Sequence, residues 1–66
     1  MSGRQLTCQE IVVLRLLADG LNNGAVAREL RIGTATVQRH VENARYKLCA
    51  SNRTHAVAIA IRIGVI

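Results

Sequence analysis

Three hydrogen-bonding side chains near the middle of the chain, Gln38, Arg39 and Glu42, are the best candidates for chemistry. On a helix, at about 100° per residue, their spacing places them on one face. Their groups match base edges in the DNA major groove. Glutamine can bond adenine bidentately, arginine can bond guanine bidentately, and glutamate can accept from cytosine. A solvated amphipathic helix would show a similar polar face, so this face alone leaves both interpretations open.

Two short helices joined by a tight turn would position these side chains. The first is predicted over about residues 23–30 and is opened by an asparagine that can cap free backbone N–H groups. A turn over 31–34 leads into the second, predicted over about 34–48. The apolar residues expected to join the helices and face the core are Val26, Leu30, Ile32, Val37, Val41, Ala44 and Leu48. This pattern is typical of a helix-turn-helix, whose second helix enters the major groove.

Composition and charge favour one small helical domain with a polyanionic partner. The 66 residues are 50% apolar, with one aromatic residue and no proline, which favours a compact, all-α bundle with an aliphatic core. The net charge of +5 suits nucleic acid, although a basic surface can also serve solubility alone. No segment is predicted to span a membrane or to act as a signal peptide, so a cytoplasmic location is expected.

No cofactor, metal site or active site is predicted. Cys8, Cys49, His40 and His55 lack the short spacing of metal ligands, and the two cysteines are expected to be reduced. Cys49 is expected to fill a small apolar slot after the second helix of the helix-turn-helix. The chain shows no nucleophile–base pair, clustered carboxylates or phosphate-binding glycine loop, so an enzyme is the least favoured class.

A further helix is predicted before the helix-turn-helix, after a flexible leader over residues 1–5. Thr7 and Glu10 have the spacing of a capping box, and Gly20 is expected to end the helix in a left-handed conformation. Leu21 should then pack back on Leu16. The core residues expected on this helix are Ile11, Val12, Leu14, Leu17 and Ala18.

The last helix, predicted from an Asn52 cap to about Ile63, carries apolar residues on two sides. The side expected to complete the core consists of Ala56, Ile59, Ala60 and Ile63. The opposite side consists of Thr54, Ala58, Ile61 and Val65. An exposed apolar strip usually marks an association surface, so a homodimer of two such helices is favoured over cover by another domain.

Together these motifs resemble the LuxR/GerE-type DNA-binding domain, also found in NarL/FixJ-type response regulators. The resemblance extends from residue 6 to residue 66. It is carried by Leu6-Thr7-x-x-Glu10, Val13-Leu14-x-Leu16-Leu17-Ala18-x-Gly20-Leu21-x-Asn23, Val26-Ala27-x-x-Leu30-x-Ile32, Thr36-Val37-x-x-His40-Val41-x-Asn43, Lys47-Leu48 and Asn52-Arg53-Thr54-x-Ala56-Val57. It implies a transcription regulator domain over residues 6–66, a four-helix bundle that contains the helix-turn-helix. Its third helix would enter the major groove of duplex DNA, and its fourth would pair with its twin. Because that interface is only one helix wide, the homodimer is expected to be weak.

By position, the resemblance implies base reading by Gln38, Arg39 and Glu42. The residues expected to contact the DNA backbone are Asn23, Thr34, Thr36, Asn43, Lys47 and Arg53. The resemblance also implies a dimer stripe of Thr54, Ala58 and Ile61, to which the helical spacing adds Val65. The sequence departs from the family pattern at Gln9, Gly24, Ala25, Gln38, Ala44 and Arg45, where lower affinity or stability is expected. The alternative function is a helix-turn-helix module that docks another protein, such as RNA polymerase.

Overall fold

Four helices make up the part of the chain that the structure describes. The computed structural model describes residues 5–66 and contains α1 (Cys8–Ala18), α2 (Asn23–Leu30), α3 (Thr34–Lys47) and α4 (Arg53–Arg62). Helices α1 and α3 each pack against the other three helices. The predicted all-α class and helix-turn-helix are confirmed, with α2 and α3 as its two helices. Residues 1–4 of the predicted leader lie outside the described residues.

Side chains cap three of the four helices at their N-terminal ends. The capping box is confirmed, since Thr7 Oγ1 accepts from the backbone N–H of Glu10 at 3.1 Å and Glu10 Oε1 accepts from that of Thr7 at 2.9 Å. Asn22 and Asn52 each accept from the backbone N–H three residues later, at 2.9 and 2.8 Å. Each bond satisfies a donor that the helix itself leaves unpaired, so these local signals fix where α1, α2 and α4 begin.

Left-handed residues end the helices. Gly20 (φ 97°) and Gly64 (φ 83°) do so without a steric penalty, whereas Arg31 (φ 58°) and Cys49 (φ 56°) carry side chains in the same region. Cys49 is exposed, so the prediction that it fills an apolar slot is wrong. The left-handed turn after α3 leaves residue 49 outside and buries Ala50 instead.

Replacing Arg31 by glycine should raise the free energy of unfolding by about 0.5–1 kcal/mol, because the strain of a left-handed side chain exceeds the added flexibility of the unfolded chain. The matched control is Arg28→Gly inside α2, which should lower stability by about 0.5–1 kcal/mol. Urea denaturation followed by circular dichroism measures both. An Arg31→Gly variant no more stable than the wild type would show that residue 31 is not strained.

Two buried clusters hold the helices together. One lies between α1, α2 and α3 and consists of Val13, Val26, Ala27, Val37 and Val41. The other lies between α1, α4 and the C-terminal half of α3 and consists of Leu14, Ala44, Ala50, Ala56 and Ala60. Leu30, Ile32 and Leu48, all predicted core residues, are partly buried against these clusters. Because α3 contributes to both clusters, its rotation about its own axis is fixed.

The predicted core of α1 was partly wrong. The structure buries Val13 and Leu14, and Glu10 lies on the same side of the helix. Val12 is 38% exposed and Ala18 is also exposed. At about 100° per residue, residue 12 lies about 160° around the helix from Glu10 and Leu14 and about 100° from Val13, so it points away from the core that α1 shares with its neighbours.

The end of α4 also differs from the prediction. Ile63, expected in the core, is 58% exposed, whereas Val65, expected on the dimer stripe, packs against the second cluster. The helix ends at Arg62, and the chain turns back at Gly64 so that the backbone N–H of Val65 donates to the carbonyl of Ala60 at 3.0 Å. The helical spacing used for the prediction therefore does not apply beyond residue 62.

Candidate nucleic-acid interface

The outer side of α3 presents polar side chains to solvent. Gln38, Arg39 and Glu42 are all exposed, as the sequence predicted, and so are Thr34, Ala35, Asn43 and Tyr46. The opposite side of α3 is fixed in the core by Val37 and Val41, which are fully buried. No side chain caps the N-terminus of α3, where Gly33 is the N-cap. The outer side can therefore approach a partner without disturbing the core.

Asn23, Gln38 and Arg53 come from three helices and form one hydrogen-bonded group, here called the amide–arginine triad. Arg53 Nη1 donates to Asn23 Oδ1 at 2.7 Å, and Arg53 Nη2 donates to Gln38 Oε1 at 3.2 Å. Asn23 Nδ2 also donates to Gln38 Oε1, at 3.0 Å. The triad connects the start of α2 and the start of α4 to the exposed side of α3.

Lys47 is paired inside the domain. Its ammonium donates to Glu10 Oε1 at 2.9 Å and to Oε2 at 3.1 Å, and the Glu10 side chain is only 4% exposed. Burial raises the pKa of Glu10, but the backbone N–H of Thr7 and the ammonium of Lys47 outweigh it, so the net pKa lies below its ordinary value. The charge predicted to contact a phosphate is thus already balanced by a buried carboxylate.

Arg45 is a site residue that the sequence analysis did not single out for a role. Its guanidinium bonds Glu42 Oε1, with Nη2 at 3.0 Å and Nε at 3.1 Å, and Nη1 donates to the carbonyl of Ala50 at 3.1 Å. Residue 45 is one of the positions at which the sequence departs from the family pattern. The i,i+3 spacing of opposite charges was the signal that could have identified the pair. Glu42 therefore meets any partner together with a neighbouring cation.

Arg39 differs from these paired charges. Within residues 5–66, the salt bridges are those of Arg45 with Glu42 and of Lys47 with Glu10, and neither includes Arg39. An exposed guanidinium with no carboxylate partner is available for bidentate bonds to an external acceptor. The outer side of α3 thus carries one uncompensated cation beside the amide of Gln38.

The histidines and cysteines are the side chains of this chain that could most readily bind a transition metal. Among residues 5–66 no three metal-ligating side chains come together. His55 Nδ1 accepts from the backbone N–H of Ser51 at 3.0 Å, which helps to hold the turn before α4. None of the helices within the described range is long and apolar enough to cross a membrane.

The sequence of residues 4–60 matches the family model of bacterial regulatory proteins of the luxR family. This chain belongs to that family. As a luxR-family helix-turn-helix it is a DNA-binding regulatory domain and not an enzyme, as the sequence predicted.

Similar segments occur in longer regulators. The chain is 44% identical over 61 residues to the HTH-type quorum sensing-dependent transcriptional regulator VjbR of Brucella ovis, covering 92% of this chain and 24% of that protein. It is 45% identical over 60 residues to the transcriptional regulatory protein LnrK of Bacillus subtilis, covering 91% and 27%. For the transcriptional regulatory protein DegU of Brevibacillus brevis the identity is 39% over 59 residues, covering 89% and 25%. This chain thus spans about a quarter of the length of these relatives.

The predicted DNA-contact residues of this luxR-family domain differ in whether they are already paired within the domain. The structure brings Asn23, Gln38 and Arg53 into the triad and leaves Arg39 with no charged partner among residues 5–66. Lys47 is directed to Glu10. The triad escaped the sequence analysis because its members lie 15 and 30 residues apart and their common contact depends on how α2 and α4 pack around α3.

Proposed function

We propose that this luxR-family domain binds duplex DNA sequence-specifically, with α3 lying in the major groove. The observation that carries the proposal is the exposed polar side of α3, with Gln38, Arg39 and Glu42, opposite a fully buried side. The major groove admits an α-helix, and these three side-chain types bond base edges there. The luxR-family match supports the same assignment.

Residues that contact the phosphate backbone of the DNA would surround this side of α3. The proposed residues are Asn23, Thr34, Thr36, Asn43 and Arg53, with Lys47 assigned mainly to its ion pair with Glu10. The uncapped N-terminus of α3 adds backbone N–H groups that can meet a phosphate. The net charge of +5 favours such contacts with any DNA sequence. Discrimination between sequences then falls to the three base-reading residues.

We infer that two copies bind together through α4. Thr54, Ala58 and Ile61 lie at helical spacing on its outer side and are exposed, with Ile61 55% exposed. Two such strips can form an isologous pair. An interface one helix wide is small for a stable dimer, so DNA with two half-sites would consolidate a weak one. The relatives are named transcriptional regulators, and we propose transcription as the process that this domain serves.

The experiment that tests base reading is the replacement of Arg39 by alanine. We expect a loss of roughly 1–3 kcal/mol in binding to the preferred duplex, because a bidentate bond to guanine disappears, and a much smaller loss on a scrambled duplex. Fluorescence anisotropy with both duplexes measures the two losses. Arg62→Ala, an exposed arginine at the end of α4, is the control and should affect both duplexes slightly and equally. Equal large losses with Arg39→Ala would make Arg39 a phosphate contact.

A further inference from the structure

We propose that Gln38 reads a base edge that offers hydrogen-bond acceptors, that of guanine or thymine, and discriminates against adenine. The proposal rests on the proposed function, since it assigns a base preference to one residue of the DNA-reading helix. It reverses the expectation from the residue type alone, because a free glutamine bonds adenine bidentately. The reason lies in the amide–arginine triad.

The triad occupies the acceptor of Gln38. Its Oε1 receives one hydrogen bond from Asn23 Nδ2 at 3.0 Å and another from Arg53 Nη2 at 3.2 Å. A carbonyl oxygen has two lone pairs, so both are used. The Gln38 Nε2 group makes no hydrogen bond within residues 5–66, and the residue is exposed on the outer side of α3.

The orientations of both amide groups follow from chemistry. An arginine guanidinium can only donate, so the atoms facing Arg53 on Asn23 and on Gln38 must be oxygens. The 2.7 Å bond from Arg53 Nη1 to Asn23 Oδ1 then directs Asn23 Nδ2 to Gln38. Reversing either amide would place two donors against each other. The assignment of Oε1 to the triad and of Nε2 to the outside is therefore self-consistent.

Gln38 can then offer DNA only the two N–H donors of its Nε2 group. Bidentate bonding to adenine needs Nε2 to donate to N7 and Oε1 to accept from the N6 amino group. With Oε1 occupied, that amino group would meet either no acceptor or the Nε2 donors, and the amino group of cytosine would meet the same obstacle. Guanine offers N7 and O6, and thymine offers O4, all of which accept. Asn23 and Arg53 are therefore positioning residues that determine specificity without touching a base.

Breaking the triad on binding would be unfavourable. One of the bonds to Oε1 comes from a charged guanidinium, and such bonds are stronger than neutral ones. Arg53 is also held by its partly buried bond to Asn23. Adenine could gain its second bond only by displacing one of these donors, so the gain would be largely cancelled.

The test begins with the preferred half-site, selected from random duplexes with the wild-type domain. Gln38→Ala then identifies the base pair at which preference disappears. At that pair we expect guanine or thymine to be favoured over adenine on the contacted strand by about tenfold in Kd. Base analogues then show which of the two paired bases Gln38 contacts. Deleting the amino donor of adenine (with purine) or of cytosine (with pyrimidin-2-one) should leave the wild-type Kd unchanged, because Gln38 does not bond these groups. Altering an acceptor, with 7-deazaguanine, 6-thioguanine or 4-thiothymine, should weaken binding.

The decisive variant combines Asn23→Ala with Arg53→Ala and frees both lone pairs of Oε1. Affinity for all duplexes should fall, because the proposed backbone contacts of both residues are also lost. Discrimination against adenine should fall from about tenfold to about twofold or less. Asn43→Ala is the matched control, because it removes another proposed backbone contact on the same helix but lies outside the triad. It should lower the affinity for all duplexes and keep the preference at that pair.

Other outcomes would overturn the inference. A wild-type preference for adenine, a loss of wild-type affinity on deleting the amino donor, or unchanged discrimination in the double variant would each show that the triad does not set the preference. A Gln38→Ala variant with unaltered preferences would show that residue 38 reads no base. All four results presuppose specific DNA binding, whereas a wild-type domain that binds no duplex preferentially would refute the proposed function itself.

Discussion

Replacing Ala58 and Ile61 together by glutamate should abolish cooperative binding to a duplex with two half-sites while leaving the helical circular dichroism intact. Both residues are exposed on the outer side of α4, whereas Ala56 and Ala60 on its inner side are fully buried. Like charges brought together at a symmetric interface repel each other and lose apolar contact. Because the second half-site gains its affinity from the first, apparent affinity should fall about 10²-fold or more.

The matched control for this variant is Ile63→Glu. Ile63 is also an exposed isoleucine near the end of α4, but it lies outside the proposed stripe of Thr54, Ala58 and Ile61. The control should retain cooperative binding. Gel-shift titrations with one-site and two-site duplexes measure the effect. If the double variant still binds cooperatively, the dimer surface lies elsewhere; if it unfolds, these residues belong to the core.

Replacing Lys47 by methionine should lower the free energy of unfolding at neutral pH by about 1–3 kcal/mol, because it leaves the buried carboxylate of Glu10 without its cation. Methionine keeps most of the apolar stem, so little packing is lost. Adding Glu10→Gln should recover part of the loss, since the neutral amide can still accept from the backbone N–H of Thr7. Arg62→Met, at an exposed site, should change stability by less than about 0.5 kcal/mol. Urea denaturation gives the free energies of unfolding of the wild type and the three variants. Equal stability of Lys47→Met and wild type would show that the ion pair does not stabilise the fold.

The same ion pair predicts a pH dependence. The pKa of Glu10 is lowered in the folded state, so the stabilisation is complete above the ordinary carboxyl pKa of about 4.3 and is lost as pH falls through the folded-state value. Wild type should therefore lose more stability than Glu10→Gln between about pH 5 and about pH 3. Denaturation at a series of pH values compares the two. Parallel loss in both proteins would show that Glu10 does not keep its charge preferentially in the folded state.

The parts of the fold that depend on near neighbours could be predicted from the sequence. The capping box of Thr7 and Glu10, the Asn52 cap and the left-handed Gly20 involve residues within a few positions of each other, and all are confirmed. The exposed and buried sides of α3 follow from a regular helical period. These elements determine where Gln38, Arg39 and Glu42 lie, and that placement was predicted correctly.

The partners of the site residues could not be predicted in the same way. Lys47 and Glu10 are 37 residues apart in the sequence, and Arg53 and Asn23 are 30 residues apart. Both contacts depend on how the helices pack. Val65 returns to the core because the chain leaves helical geometry after Arg62. Residue type indicated which groups could contact DNA, but only the packed structure shows which groups are already paired.

The most direct test of specific DNA binding is a salt titration of the wild-type domain on its selected duplex and on a scrambled duplex of equal length. Anisotropy should give association constants whose logarithm falls linearly with the logarithm of salt concentration, by about 0.9 per phosphate neutralised. The selected duplex should bind more tightly than the scrambled one at every salt concentration, with a similar slope. Affinity that does not change with salt, or that is equal for the two duplexes throughout, would contradict sequence-specific binding through α3.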